Sequence, residues 1–290
     1  MRTPHQFAAA LCLCMSLVAG CRLMSEQADF DGNALLQTAR PSPDSVKMEI
    51  IWARFPAGDP ALNHEAWQDI DEAQLDPAVH RELVNNGFRA GIINGKLPDA
   101  ISRALNQGKS PPEEAAKAIT GETNQLLADP IVRGRVRQMP RNQRCEIPAS
   151  EVYPSLPLLV SDERQLGGQT LQQAQAMYAM RVDPQPDRTT LVELTPELHY
   201  GAPRIRFTGG DDGMMYQAPM RDREVFEKLQ MNVKLAPGDM FVVMSLPDAG
   251  RRLGHYFHTA DSTDGPQQKL ILLRLAEVPQ GDAFATMNDE

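Results

Sequence analysis

The stretch Leu229-Gln230-Met231-Asn232-Val233-Lys234-Leu235 alternates apolar and polar side chains. It is followed by the turn Pro237-Gly238-Asp239 and by the apolar run Met240-Phe241-Val242-Val243-Met244-Ser245-Leu246. Alternation over this length predicts a strand with one buried face, and a short apolar run bounded by turn residues predicts a fully buried strand. Two such strands separated by a tight turn favour antiparallel β structure.

The same kinds of pattern recur on both sides of this stretch. Residues 173–182 alternate polar and apolar, Thr189 to Leu194 follows a proline-rich turn, and Leu270 to Leu275 is another apolar run. Short strands separated by Gly, Pro and Asp turns are typical of antiparallel sandwiches and barrels. We therefore predict that residues 149–278 form a mostly antiparallel β sandwich or barrel-like domain, followed by a disordered tail over 279–290.

Residues 46–108 carry a different pattern, which predicts a small module of mixed structure. The expected elements are a strand from Val46, a helix capped by Asn63, a helix starting at Asp76-Pro77, a strand over Phe88–Ile93 and a helix over Pro98–Gln107. Asp before Pro favours a helix start, and Gly87 favours the end of the second helix. The order β-α-α-β-α followed by a β domain gives the fold class α+β.

Residues 109–148 are predicted to form a helical and arginine-rich connector between these two parts. Within twelve residues it holds five arginines, which are Arg133, Arg135, Arg137, Arg141 and Arg144. The first three would share one face of an extended segment, because side chains two apart in a strand point the same way. They form a candidate surface for an anionic partner, but charge runs are usually solvated, so we favour a plain connector paired with the protein's own carboxylates.

The amino terminus has the parts of an export signal. Arg2 precedes an apolar run from Phe7 to Val18, which as a helix would be about 18 Å long and too short to cross a bilayer core of about 30 Å. The residues Val18-Ala19-Gly20-Cys21 resemble the lipobox of bacterial lipoproteins, whereas the remainder resembles no characterised family. This resemblance implies cleavage after residue 20 and lipidation of Cys21.

A lipidated Cys21 would anchor the chain to a membrane of the cell envelope, because two or more acyl chains bind a bilayer stably. Residues 21–45 are polar and proline-containing, which predicts a flexible tether behind the signal peptide of residues 1–20. Arg22 follows the cysteine in place of the Asp that commonly retains such lipoproteins at the inner membrane. The resemblance therefore favours the outer membrane.

Composition limits the partners and the covalent chemistry. The 290 residues carry a net charge of −9, so we expect no attraction to nucleic acid. Once Cys21 is lipidated, Cys145 is the one remaining cysteine after the signal peptide, and no disulfide within the chain can form. We interpret Cys145 as a small core residue rather than a reactive thiol.

Candidate catalytic and metal-binding residues are few. His255 and His258, near Asp261 and Asp264, lie in a segment that we predict to be a strand, where the two side chains would point to opposite faces. We interpret Gly209–Gly213 as a turn rather than a calcium loop, because it lacks the oxygen spacing of an EF-hand. With no hydrolase, dinucleotide or P-loop motif, we expect no catalytic residue, no metal and no cofactor.

These observations predict an exported, lipid-anchored envelope protein that is a non-catalytic structural or interaction module. Its expected partners are the membrane, through Cys21, and an envelope protein. The alternative is an envelope hydrolase or ligand-binding protein whose site is assembled from scattered residues around His199, His255 or His258.

Overall fold

The computed structural model describes residues 45–107, 132–162, 165–209, 215–262 and 265–279, all of which belong to one compact unit, residues 42–290. Strands dominate these ranges. They are β1 (Ser45–Pro56), β2 (Phe88–Ile93), β3 (Val132–Pro140), β4 (Cys145–Asp162), β5 (Gln165–Pro184), β6 (Thr190–Gly209), β7 (Met215–Val225), β8 (Met231–Leu235), β9 (Met240–Ser245), β10 (Thr259–Ser262) and β11 (Gly265–Glu277).

The helices of the described ranges are short. They are α1 (Pro77–Asn85), α2 (Asp99–Gln107) and α3 (Leu253–His258), with single turns at Ala61–Glu65, Ala66–Gln68 and Glu227–Leu229. The start of α1 is as predicted, since the Asp76 carboxylate accepts hydrogen bonds from the backbone N–H groups of Ala78 and Val79. Gly87 follows this helix with a φ of 82°, a conformation that favours glycine.

The strands form two antiparallel sheets. Sheet A has the order β2-β9-β11-β1-β3, with β10 also paired to β11; sheet B has the order β4-β5-β6-β7, with β8 also paired to β6. The strands β5 and β6 pair between Gln175–Pro184 and Thr190–His199. Beyond this pairing, sheet B divides into two hairpins, β4–β5 and β6–β7. Both hairpins continue from the same end of the sheet, and no described residue of one pairs with a residue of the other there.

A hydrophobic core lies between the two sheets, and a second one covers the opposite face of sheet A. Phe241 and Leu273 of sheet A belong to the same buried cluster as Tyr178 of sheet B. On the other face, Val242 and Leu272 pack in a cluster with side chains of the single turns and α2. The strands β9 and β11 are therefore buried on both faces, which explains their continuous apolar sequences.

The β-rich part of the predicted fold is confirmed, but the small β-α-α-β-α module over 46–108 is not confirmed as a separate unit. Its first strand, β1, pairs with β11 and β3, and its second strand, β2, pairs with β9. The strand patterns were read correctly, but backbone pairing between residues 79 to 230 positions apart leaves no local signal in a sequence. Arg133, Arg135 and Arg137 of the predicted connector likewise lie on β3 of sheet A.

The strand predicted around His255 and His258 was wrong, because these residues belong to the helix α3. Close backbone contact, rather than helix propensity, fixes the position of α3. Gly254 N–H donates to the carbonyl of Asn86 at 2.8 Å, and Phe257 packs edge-on against Phe88 with ring centroids 5.3 Å apart. None of the helices in the described ranges is long and apolar enough to cross a membrane.

Candidate functional site

His258 stands at the centre of a buried polar network between the two sheets. Its side chain has no exposed surface, and its Nδ1 lies 3.0 Å from the Lys269 carbonyl oxygen. A carbonyl can only accept, so Nδ1 carries the proton and Nε2 accepts from the Tyr178 hydroxyl at 2.7 Å. The network therefore links β5 of sheet B to α3 and β11 of sheet A.

Burial shifts the ionisable groups of this network toward their neutral forms. Burial, with a smaller contribution from the positive charge of Lys269, lowers the pKa of His258 to about 3. Burial and nearby Arg54 lower the pKa of Lys269 to about 7, and its side-chain nitrogen donates to the Ala149 carbonyl. Burial also raises the pKa of Tyr178. Groups enclosed in this way hold the sheets together and do not contact solvent.

A second polar cluster lies on the outer face of sheet B, around Glu197. The Arg144 guanidinium donates to both carboxylate oxygens of Glu197, at 2.7 and 2.6 Å, and His199 Nε2 lies 2.9 Å from Oε2. Burial alone would raise the pKa of Glu197, but the hydrogen bonds from Arg144 and His199 hold it at about 2. Arg144 and His199 thus occupy both carboxylate oxygens of Glu197. The cluster is therefore a structural ion pair.

The histidines of the alternative hypothesis are not brought together. His199 is on the outer face of sheet B, because its neighbour Leu198 points into the core, whereas His258 lies between the sheets. His255 is half-buried, and burial lowers its pKa. The parts of the chain that the structure describes contain no group of three or more His, Cys, Asp or Glu side chains placed to hold a metal ion.

Cys145 begins β4 and is half-buried. Burial raises the pKa of its thiol, although Arg137 acts in the opposite direction. A raised pKa disfavours the thiolate, which is the reactive form.

The three arginines that the sequence analysis singled out lie side by side on β3. Arg133, Arg135 and Arg137 stand opposite Trp52, Ile50 and Met48 of β1. Partners directly opposite each other share a face of the sheet, and Ile50 and Met48 are buried in the core between the sheets. The arginines therefore continue that inner face to the edge of sheet A, where Arg135 and Arg137 are exposed.

An apolar surface, which sequence reasoning missed, lies on the β6–β7 hairpin. We call residues 200–209 and 215–222 the arm. Ile205 is 72% exposed, Phe207 64% and Met215 65%. Phe207 is two residues from Ile205, and Met215 stands opposite Gly209, so all three share one face. Alternation in a sequence indicates a strand but does not reveal the absence of a covering layer.

The arm leaves the body of sheet B at an irregularity in the β6–β7 pairing. The register shifts between Tyr200 and Arg204, and Gly201 has a φ of 75°. A bulge of this kind bends a strand and increases its twist. On the face opposite Phe207, Arg206 forms an ion pair with Asp222, so the arm has one apolar and one charged face.

Several predicted features lie outside the described residues. They are the signal peptide, the lipobox with Cys21, the tether up to residue 44, the helical part of the connector before residue 132, the turn residues 210–213, Asp264 and the tail from residue 280. Comparisons with protein families, with curated proteins and with solved structures each give no match to this chain.

Proposed function

We propose that this chain is a non-catalytic interaction protein of the cell envelope, held to a membrane by lipid on Cys21 and binding an envelope protein through the apolar face of the arm. The single observation that carries the proposal is the exposure of Ile205, Phe207 and Met215 on one face. Contiguous exposed apolar patches mark interaction sites in soluble domains.

The two buried polar clusters support a structural rather than a chemical role for their residues. His258 and Glu197 are almost completely buried, and each has its hydrogen-bonding atoms occupied by neighbours. A general acid or base must come within hydrogen-bond reach of a substrate. Binding through the exposed arm, by contrast, requires only a complementary surface on a partner protein.

The arm proposal is tested by placing a photo-crosslinking amino acid at Phe207 in cells that contain the intact envelope. We expect a defined covalent adduct with one envelope protein, because an aromatic side chain at a hot spot is enclosed by its partner. The control position is Leu191, which is 39% exposed on β6 away from the arm. Adducts of equal yield and identity from both positions, or none from Phe207, would contradict the proposal.

The anchor is tested by metabolic labelling with palmitate. Replacing Cys21 with Ser removes the thiol to which the lipid would be attached, so the wild type should be labelled and the variant should not. The Cys145→Ser variant is the matched control and should label like the wild type. Equal labelling of Cys21→Ser and wild type would refute the lipoprotein hypothesis. Loss of labelling in the Cys145 variant would place the lipid elsewhere.

A further inference from the structure

The outer edge of β3 has no partner strand among the described residues. Among the described strands, β3 pairs with β1 alone, over nine residue pairs from Ser45↔Pro140 to Ala53↔Val132. An edge strand presents backbone N–H and C=O groups that another strand can use. This edge is regular in register along its whole length, so it offers a template for an added strand.

The side chains on this edge are strongly basic in a protein that is acidic overall. Arg135 and Arg137 form no ion pair or hydrogen bond with any described residue, although the chain carries 38 acidic residues. Other arginines do have carboxylate partners, as in the pairs Arg141–Asp183 and Arg181–Glu193. Positive charge at Arg135 and Arg137 is therefore left without a counter-charge from the described part of the chain.

The arginines also act on one another. Burial, together with the positive charges of Arg135 and Arg54, lowers the pKa of Arg133. Like charges held close together raise the free energy of the unbound state, and a negative partner relieves this repulsion. The anionic partner considered in the sequence analysis is thus favoured over the plain connector.

The spacing of the charges specifies the form of the partner. Alternate residues of a strand lie about 6.6 Å apart along one face, and a directly opposing residue on an antiparallel neighbour lies about 5 Å away. Carboxylates at alternate positions of an added strand would each meet one arginine. On the other face, Val136 is 58% exposed, which suits an apolar residue between the carboxylates.

A second copy of this chain fits the same edge poorly in the register centred on Arg135. Antiparallel self-pairing centred on Arg135 would place Arg133 opposite Arg137, and like charges directly opposite each other are destabilising. The arginines thus protect the edge from self-association while leaving it open to a partner of opposite charge.

We propose that the β3 edge binds an extended acidic segment of a partner protein by strand addition, with Asp or Glu at alternate positions facing Arg135 and Arg137. This surface is separate from the arm, so the inference does not rest on the proposed function. Strand addition draws affinity from backbone hydrogen bonds and specificity from alternate side chains.

The test measures binding of the full-length chain to a fluorescent peptide of about nine residues in which Glu and Val alternate. The double variant Arg135→Gln/Arg137→Gln should bind roughly five- to tenfold more weakly. Wild-type binding should also weaken as salt rises from about 0.05 M to about 0.3 M. The matched control is Arg223→Gln/Arg251→Gln, which removes the same charge at exposed positions away from this edge and should bind like the wild type.

Two further probes separate strand addition from plain charge attraction. A peptide of the same sequence with alternate backbone nitrogens methylated keeps its carboxylates but cannot form the ladder, so it should lose binding. Vesicles containing phosphatidylglycerol present anionic headgroups without a strand and should not depend on Arg135 and Arg137. Equal binding of the methylated peptide, arginine-dependent vesicle binding, or equal loss in the control variant would each overturn the proposal.

Discussion

Lowering the pH from 7 to 4 is expected to destabilise the folded chain by about 3 kcal/mol through His258 alone. The folded-state pKa of His258 is about 3, against an ordinary value of 6.5. The unfolded chain therefore takes up this proton first as the pH falls. The contribution of the neutral His258 imidazole to the free energy of unfolding is fully present above about pH 6.5 and is lost as the pH falls toward 3.

Two other groups with shifted pKa values change this expectation little. Lys269 has a pKa of about 7 in the folded chain. Well below pH 7 it is charged in both the folded and the unfolded chain, so it adds nothing there to the change of stability with pH. Glu197 has its pKa lowered from 4.5 to about 2. Its contribution is present above about pH 4.5 and is lost mainly below pH 4, outside the measured interval.

The measurement is urea unfolding of the wild type and of His258→Asn at pH 7 and pH 4. The variant should lose about 3 kcal/mol less between the two pH values than the wild type does. The matched control is His64→Asn, which changes an exposed histidine. Tyr178→Phe keeps the imidazole but removes its donor, so it should lower stability at pH 7 by about 1–2 kcal/mol. An unchanged slope in His258→Asn would show that His258 does not titrate on unfolding.

Replacing Gly254 with Ala is expected to cost about 3 kcal/mol, at the upper end of the range for overpacked sites. A Cβ at this position would lie 2.1 Å from the Gly87 carbonyl oxygen and 2.9 Å from the Phe88 nitrogen. Both are backbone atoms, so α3 must shift. That shift breaks the hydrogen bond from Gly254 N–H to Asn86 and loosens the ring contact between Phe257 and Phe88.

Thermal and urea unfolding measure this effect, with Gly134→Ala as the matched control. Gly134 lies on β3, and a Cβ added there would have no atom within 4 Å, so the change should stay within about 0.5 kcal/mol. Similar losses for the two variants would mean that the tight packing of α3 on the Gly87 backbone is not what limits stability.

Local patterns in the sequence predicted elements whose partners are close in the chain. Asp76-Pro77 and Gly87 predicted the start and the end of α1, because capping depends on the few residues that surround each helix terminus. Alternation predicted β8, and the unbroken apolar run predicted β9. In β8 burial repeats with the period of the backbone itself, and β9 is buried at every residue.

The sequence by itself determined that the chain is rich in antiparallel strands, and where many of those strands lie. Only the tertiary structure decided that β1 and β2 join β9 and β11 in one sheet, because strand pairing across long separations depends on complementary faces rather than on local pattern. It also decided that His258 is enclosed while the arginines of β3 line an edge that no described strand covers. Burial is a property of what packs against a residue, and an isolated alternating segment is the same whether its polar face meets solvent, a second sheet or a partner.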